Sequence, residues 1–122
     1  MQMPDLNGEQ LRQFFDQKEF VSATVAQINK DLQGLAYADF EYTFSTEKNH
    51  LQELSTQLKT ILLELSKRQP EQLSQFIYKV DLQERKFIAS LEKDLTLHDL
   101  ALLIVEREAL KIYLRQKFSN QP

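Results

Sequence analysis

The stretch LTLHDLALLIVEREALKIYLRQKF (residues 95–118) decides the fold, because it carries the clearest helix start in the chain. Thr96 and Asp99 have the spacing of a capping box, in which each side chain bonds the backbone amide of the other residue. The run over residues 100–105 is apolar on most sides, which is typical of a widely buried helix. The stretch predicts a helix that extends to about Phe118 and lies at the centre of the protein.

Upstream of this helix, apolar residues recur every three or four positions and predict a long amphipathic helix over residues 8–33. Gly34 is its expected stop, since glycine readily adopts the left-handed conformation that ends helices. The stripe consists of Leu11, Phe14, Val21, Val25, Ile28, Leu32 and Leu35, with Lys18 in one slot.

A second helical register covers residues 37–65 and contains one polar position, Glu47. Two alternatives stay open for its start. The helix is either continuous from Tyr37, or it begins at Ser45 or Thr46, both good N-caps. We expect the second. The register consists of Tyr37, Phe40, Phe44, Glu47, Leu51, Leu54, Leu58, Ile61 and Leu65.

Pro70 predicts the start of a third helix, since proline is favoured in a first turn. Its apolar face consists of Leu73, Phe76, Ile77 and Val80. Another helical piece is expected over residues 81–93, and whether Asp81 separates the two is open.

The C-terminal part, QFIYKVDLQERKFIASLEKDLTLHDLALLIVEREALKIYLRQKF (residues 75–118), resembles small all-helical bacterial proteins of unknown function. The resemblance covers under half of the chain and contains no diagnostic motif. It implies an all-helical fold and nothing about activity.

Composition supports the same fold class. The 122 residues include two glycines and three prolines, too few turn residues for a sheet protein of this length. We predict one all-α domain over residues 1–122, an antiparallel bundle of four or five helices. Residues 1–7 and 119–122 are expected to fray.

The chain contains no cysteine, which is typical of a reducing compartment. Its start lacks the charged and apolar regions of a secretory signal. The longest apolar run, residues 100–105, is far shorter than the roughly 20 residues that span a bilayer. We therefore expect a cytoplasmic protein without membrane contact.

Glu47 and His50 form the one motif with metal-binding spacing, Glu-x-x-His, which helical bundles use in di-metal sites. A di-metal site needs a second copy, and His98 has Leu95 three residues before it. A site with one metal ion stays open. The sequence favours a structural interpretation, in which Glu47 stabilises the first helical turn and His50 lies beside the apolar stripe.

Three candidate surfaces or sites remain. Glu106, Arg107 and Glu108 follow an apolar run, so one of them is a candidate to point inward, as a buried acid with a raised pKa would. The favoured alternative is an ion-paired helix residue, for instance Glu108 with Lys111. Arg107, Lys111 and Arg115 share one helix face and are candidates to bind a partner or, less favoured, nucleic-acid phosphates. The aromatic residues Tyr37 and Tyr42 are further partner-binding candidates, and Tyr42 is off the apolar register, so we expect it to be exposed.

The sequence lacks a phosphate-binding glycine loop, a nucleophile elbow and other familiar catalytic motifs. It therefore favours a non-catalytic domain that binds a protein partner or forms a homo-oligomer, with no catalytic residue and no cofactor assigned. The alternative is a metal-dependent or otherwise enzymatic bundle centred on Glu47 and His50. The third hypothesis is nucleic-acid binding through the C-terminal helix.

Overall fold

The computed structural model describes residues 13–15, 17–33, 42, 50–81 and 96–119. Over these residues the chain contains four helices and no strand, which confirms the all-α prediction. The helices are α1 (Lys18–Leu32), α2 (His50–Arg68), α3 (Pro70–Val80) and α4 (Leu97–Ser119).

Helix α1 begins later than the sequence pattern indicated. Gln17 has extended backbone, with φ −97° and ψ 117°, and its amide bonds the carbonyl of Phe14 at 3.0 Å in a turn. The prediction of one helix from residue 8 is therefore wrong at Gln17. Phe15 and Phe20 would lie about 140° apart on a continuous helix. The turn allows both rings into the core, with centroids 5.5 Å apart.

Helix α2 confirms the predicted register where the structure describes it. Leu51, Leu54, Leu58, Ile61 and Leu65 are all buried. Tyr42 is not helical, so a helix continuous from residue 37 to residue 65 is excluded. The expected start at residues 45–46 and the expected stop of α1 at residue 34 lie outside the described residues.

Helix α3 begins and ends for identifiable local reasons. Proline disfavours helical backbone at the preceding residue, and Gln69 accordingly separates α2 from α3 with φ −146° and ψ 68°. Asp81 adopts the left-handed conformation, with φ 64°, and its amide bonds the carbonyls of Ile77 and Tyr78 at 3.2 and 3.1 Å. Asp81 therefore ends α3. The helical piece predicted beyond it lies outside the described residues.

Helix α4 starts at the predicted capping box. The Asp99 amide donates to Thr96 Oγ1 at 3.2 Å, and the Thr96 amide donates to Asp99 Oδ2 at 3.1 Å. α4 packs against each of the other three helices, which confirms its expected central position. The buried apolar residues of α4 are small or branched: Ala101, Ile104, Val105, Ala109 and Ile112.

Candidate functional site between α1 and α4

Polar side chains from α1 and α4 meet at the contact between these helices. Asp31 of α1 is 9 % exposed and Glu108 of α4 is 0 % exposed. Lys111, one turn after Glu108, contacts both carboxyl groups. Burial of several ionisable groups in one place is unusual, because charged side chains lose hydration energy when they leave water. This cluster is therefore the first candidate site.

The Lys111 ammonium contacts three oxygen atoms. Its Nζ lies 3.0 Å from Asp31 Oδ2, 2.7 Å from Glu108 Oε1 and 3.2 Å from the carbonyl oxygen of Lys79. The contacts with Asp31 and with the Lys79 carbonyl are hydrogen bonds, and the contact with Glu108 is close but not a well-directed hydrogen bond. The predicted contact between Glu108 and Lys111 is confirmed.

The Glu108 carboxyl group is poorly satisfied if it is ionised. Neither of its oxygens accepts a well-directed hydrogen bond from any residue that the structure describes, although Lys111 is close. Burial, and after it the neighbouring Asp31 carboxylate, raise the pKa of Glu108 to about 9, and Lys111 offsets this only in part. Glu108 is therefore a neutral carboxylic acid at neutral pH.

The two other cations of the predicted basic face also contact neighbouring segments. Arg115 Nη2 donates to Gln27 Oε1 at 2.7 Å. Arg107 donates from Nε to the carbonyl oxygen of Asp81 and from Nη2 to its carboxylate, both at 3.1 Å. These arginines thus connect α4 to α1 and to the end of α3. Their role in binding a partner or nucleic acid stays a prediction.

His50 forms a second polar cluster at the start of α2. Its Nδ1 lies 3.1 Å from the Tyr42 hydroxyl, which donates to Glu53 Oε2 at 3.3 Å. A hydroxyl has one proton, so this arrangement requires His50 Nδ1 to be the donor. His50 is 1 % exposed and Tyr42 is partly buried. The expectation that Tyr42 is exposed is therefore wrong, and His50, which was expected beside the apolar stripe, is buried.

The metal prediction is not decided by this geometry. Glu47 lies outside the described residues, as does Tyr37. Within the described segments, no group of three or more His, Asp or Glu side chains is placed to hold a metal ion. With Nδ1 protonated, His50 would bind a metal through Nε2. A site with Glu47 and His50 stays a prediction.

Two residues that the structure identifies as candidates, Asp31 and Tyr78, were not predicted from the sequence. Asp31 was missed because nothing local in the sequence pairs it with a helix eighty positions away. Tyr78 of α3 is 85 % exposed. The signal for Tyr78 was present, since it falls off the register of Leu73, Phe76 and Val80.

Comparison of the chain with protein-family models, with curated proteins and with solved structures finds no match. Among the described helices, none has the length and apolar character required to cross a membrane. The function must therefore be inferred from the residues and contacts of the chain itself.

Proposed function

We propose that the protein is a non-catalytic helical domain that acts by association, in the first place with a second copy of itself. The observation that carries this proposal is Tyr78, which is 85 % exposed in α3 although Phe76 and Val80 on the same helix are fully buried. Tyrosine is enriched among the residues that dominate protein interfaces, because it combines a large apolar ring with a polar hydroxyl.

The partner surface must lie away from the apolar stripes of α1 and α2. The described members of those stripes fill the core of the chain together with α4. Large apolar side chains that remain exposed in the described segments are Leu63 of α2, Tyr78 of α3 and Phe118 of α4. Association over α3 would bury Tyr78, and full burial of an aromatic side chain removes roughly 150–250 Å² from water.

The test compares the self-association of two variants by light scattering over a concentration series. Tyr78→Ser should weaken association by about 30-fold, which corresponds to the roughly 2 kcal/mol lost at an interface hot spot. Gln75→Ser is the matched control, because Gln75 is also exposed on α3. A wild-type protein that stays monomeric at every concentration, with no partner whose binding requires Tyr78, contradicts the proposal.

A metal-dependent or otherwise enzymatic bundle centred on Glu47 and His50 is the second candidate function. The observation in its favour is that the His50 ring is held through Nδ1 by Tyr42, as the rings of metal-binding histidines are commonly held by a second hydrogen bond. The test is the metal content of the purified protein. Stoichiometric metal that is lost in Glu47→Ala but kept in Glu64→Ala supports this candidate, and metal-free protein contradicts it.

We further propose that the helices form an antiparallel bundle and that the protein resides in the cytoplasm. The bundle is supported by the single residue, Gln69, between α2 and α3, and by the contact of α4 with all three other helices. A cytoplasmic location is supported by the absence of cysteine from the sequence.

A further inference from the structure

We propose that Asp31 and Glu108 share one proton across the contact between α1 and α4, and that this proton acts as a latch that holds α1 in place. The proposal rests on the positions of three side chains. Glu108 is fully buried, Asp31 is nearly so, and Lys111 lies within 3.0 Å of both carboxyl groups.

Protonation of Glu108 gives the cluster a balanced charge. With Asp31 ionised, Lys111 charged and Glu108 neutral, the net charge is zero. If Glu108 were ionised as well, one negative charge in a buried site would lack a counterion, which is strongly unfavourable. The Lys111 ammonium donates hydrogen bonds to Asp31 and to the Lys79 carbonyl, and it approaches Glu108 to 2.7 Å without a well-directed hydrogen bond.

The shared proton also accounts for the hydrogen bonding of Glu108. As a carboxylate, Glu108 receives no well-directed hydrogen bond from the described residues. As a carboxylic acid, it donates its proton to the neighbouring Asp31 carboxylate, and this hydrogen bond contributes to its raised pKa. The second Asp31 oxygen, Oδ1, accepts from Gln27 Nε2 at 3.4 Å.

Several charged groups of the surrounding helices bond other partners. The charges that act on the pKa of Glu108 are those of Asp31 and Lys111. From α3, the Lys79 ammonium bonds the carbonyl of Gln33 at 2.7 Å. In α4, Arg107 bonds Asp81, Arg115 bonds Gln27, and Lys117 lies over the Tyr113 ring, 5.8 Å from its centroid. The titratable side chain buried in α2 is His50, which bonds Tyr42.

The sign of the pH dependence follows from the two states of Glu108. Its pKa rises from an ordinary 4.5 to about 9 in the folded protein. Between these values the unfolded chain has released the proton that the folded chain still holds. Folding therefore takes up one proton, and the folding equilibrium constant falls about tenfold per pH unit. The stabilisation is complete below the lower pKa and lost above the upper one.

The first experiment measures urea unfolding from pH 6 to pH 9. The wild type should show the tenfold decrease per pH unit, and Glu108→Gln should abolish it. Glu64→Gln, at an exposed position of α2, should keep it. If Glu108→Gln does not fold, Glu108→Met replaces it, since the apolar side chain matches its length. A wild type without this pH dependence, or a Glu108 variant that keeps it, overturns the proposal.

A second variant tests the sharing of the proton. Asp31→Asn removes the charged acceptor, so the pKa of Glu108 should fall and the pH dependence should end below pH 9. If the pH dependence of Asp31→Asn still extends to pH 9, burial alone retains the proton on Glu108. That result overturns the proposal that Asp31 shares the proton.

Hydrogen exchange tests the latch itself. As the pH rises towards 9, the amides of α1 should lose protection before those of α2, after correction for the intrinsic exchange rate. If the amides of α1 and α2 lose protection at the same pH, the protein unfolds globally. That result overturns the proposal that the proton holds α1 in place.

Discussion

Asp31 and Lys111 form an ion pair of 3.0 Å although eighty positions separate them in the chain. The pair joins the last turn of α1 to the second half of α4. Only 12 % of the Asp31 side chain and 19 % of the Lys111 side chain are exposed. Such a pair is weakly screened by solvent, so its loss has a larger effect than that of a surface ion pair.

Replacement of Lys111 with Met should destabilise the fold by about 3 kcal/mol, because it leaves the Asp31 carboxylate buried without its cation. Urea unfolding measures the loss. Lys59→Met, at an exposed position of α2, is the control and should change stability by less than about 0.5 kcal/mol. Equal stability of the two variants would show that the ion pair between Asp31 and Lys111 does not contribute to the free energy of unfolding.

Loss of the capping box should destabilise α4. Thr96→Ala removes the hydroxyl that accepts from the Asp99 amide, and the expected cost is about 1 kcal/mol. Thr56→Ala in α2 is the control, since the Thr56 hydroxyl bonds a carbonyl within the same helix and caps no terminus. The prediction fails if thermal unfolding shifts equally in both variants.

Local signals in the sequence predicted the parts of the fold that depend on near neighbours. The capping box of Thr96 and Asp99, the proline at the start of α3 and the buried leucines of α2 all lie within a few residues of the features they determine. The interruption at Gln17 was missed because it depends on two rings, Phe15 and Phe20, that pack in the core.

Only part of the candidate site could be predicted from the sequence. The apolar run indicated that one of Glu106, Arg107 and Glu108 points inward without showing which, and the i, i+3 spacing indicated the contact of Glu108 with Lys111. Asp31 reaches the same place through the packing of α1 on α4, which no local pattern encodes. Tyr42 likewise meets His50 across a segment whose path the apolar register does not specify.

Asp81 has left-handed backbone. The stability of a variant at this position should therefore depend on the backbone preference of the new residue as well as on the lost charge. Asp81→Ala should destabilise the protein by about 1–2 kcal/mol, since alanine is disfavoured at φ 64° and the contact with Arg107 is lost. Asp81→Gly loses the same ion pair but tolerates the backbone, so it should be more stable than Asp81→Ala. Chemical unfolding of the two variants measures the difference. A glycine variant that is less stable than the alanine variant contradicts this account.

Tyr42 should lose its proton at a higher pH than an ordinary tyrosine does. Burial, and after it the charge and hydrogen bond of Glu53, raise the pKa of Tyr42 to about 12 from its ordinary value of 10. The folded chain therefore keeps this proton where the unfolded chain loses it, so the stability contributed by Tyr42 falls between pH 10 and pH 12. Ultraviolet absorbance of phenolate, with Tyr42→Phe as the reference, measures the titration. The phenylalanine variant should also lose about 1–2 kcal/mol at neutral pH, because the hydrogen bond between Tyr42 and the buried His50 is lost. If the phenolate absorbance that Tyr42→Phe loses titrates near pH 10, the surroundings of Tyr42 do not raise its pKa.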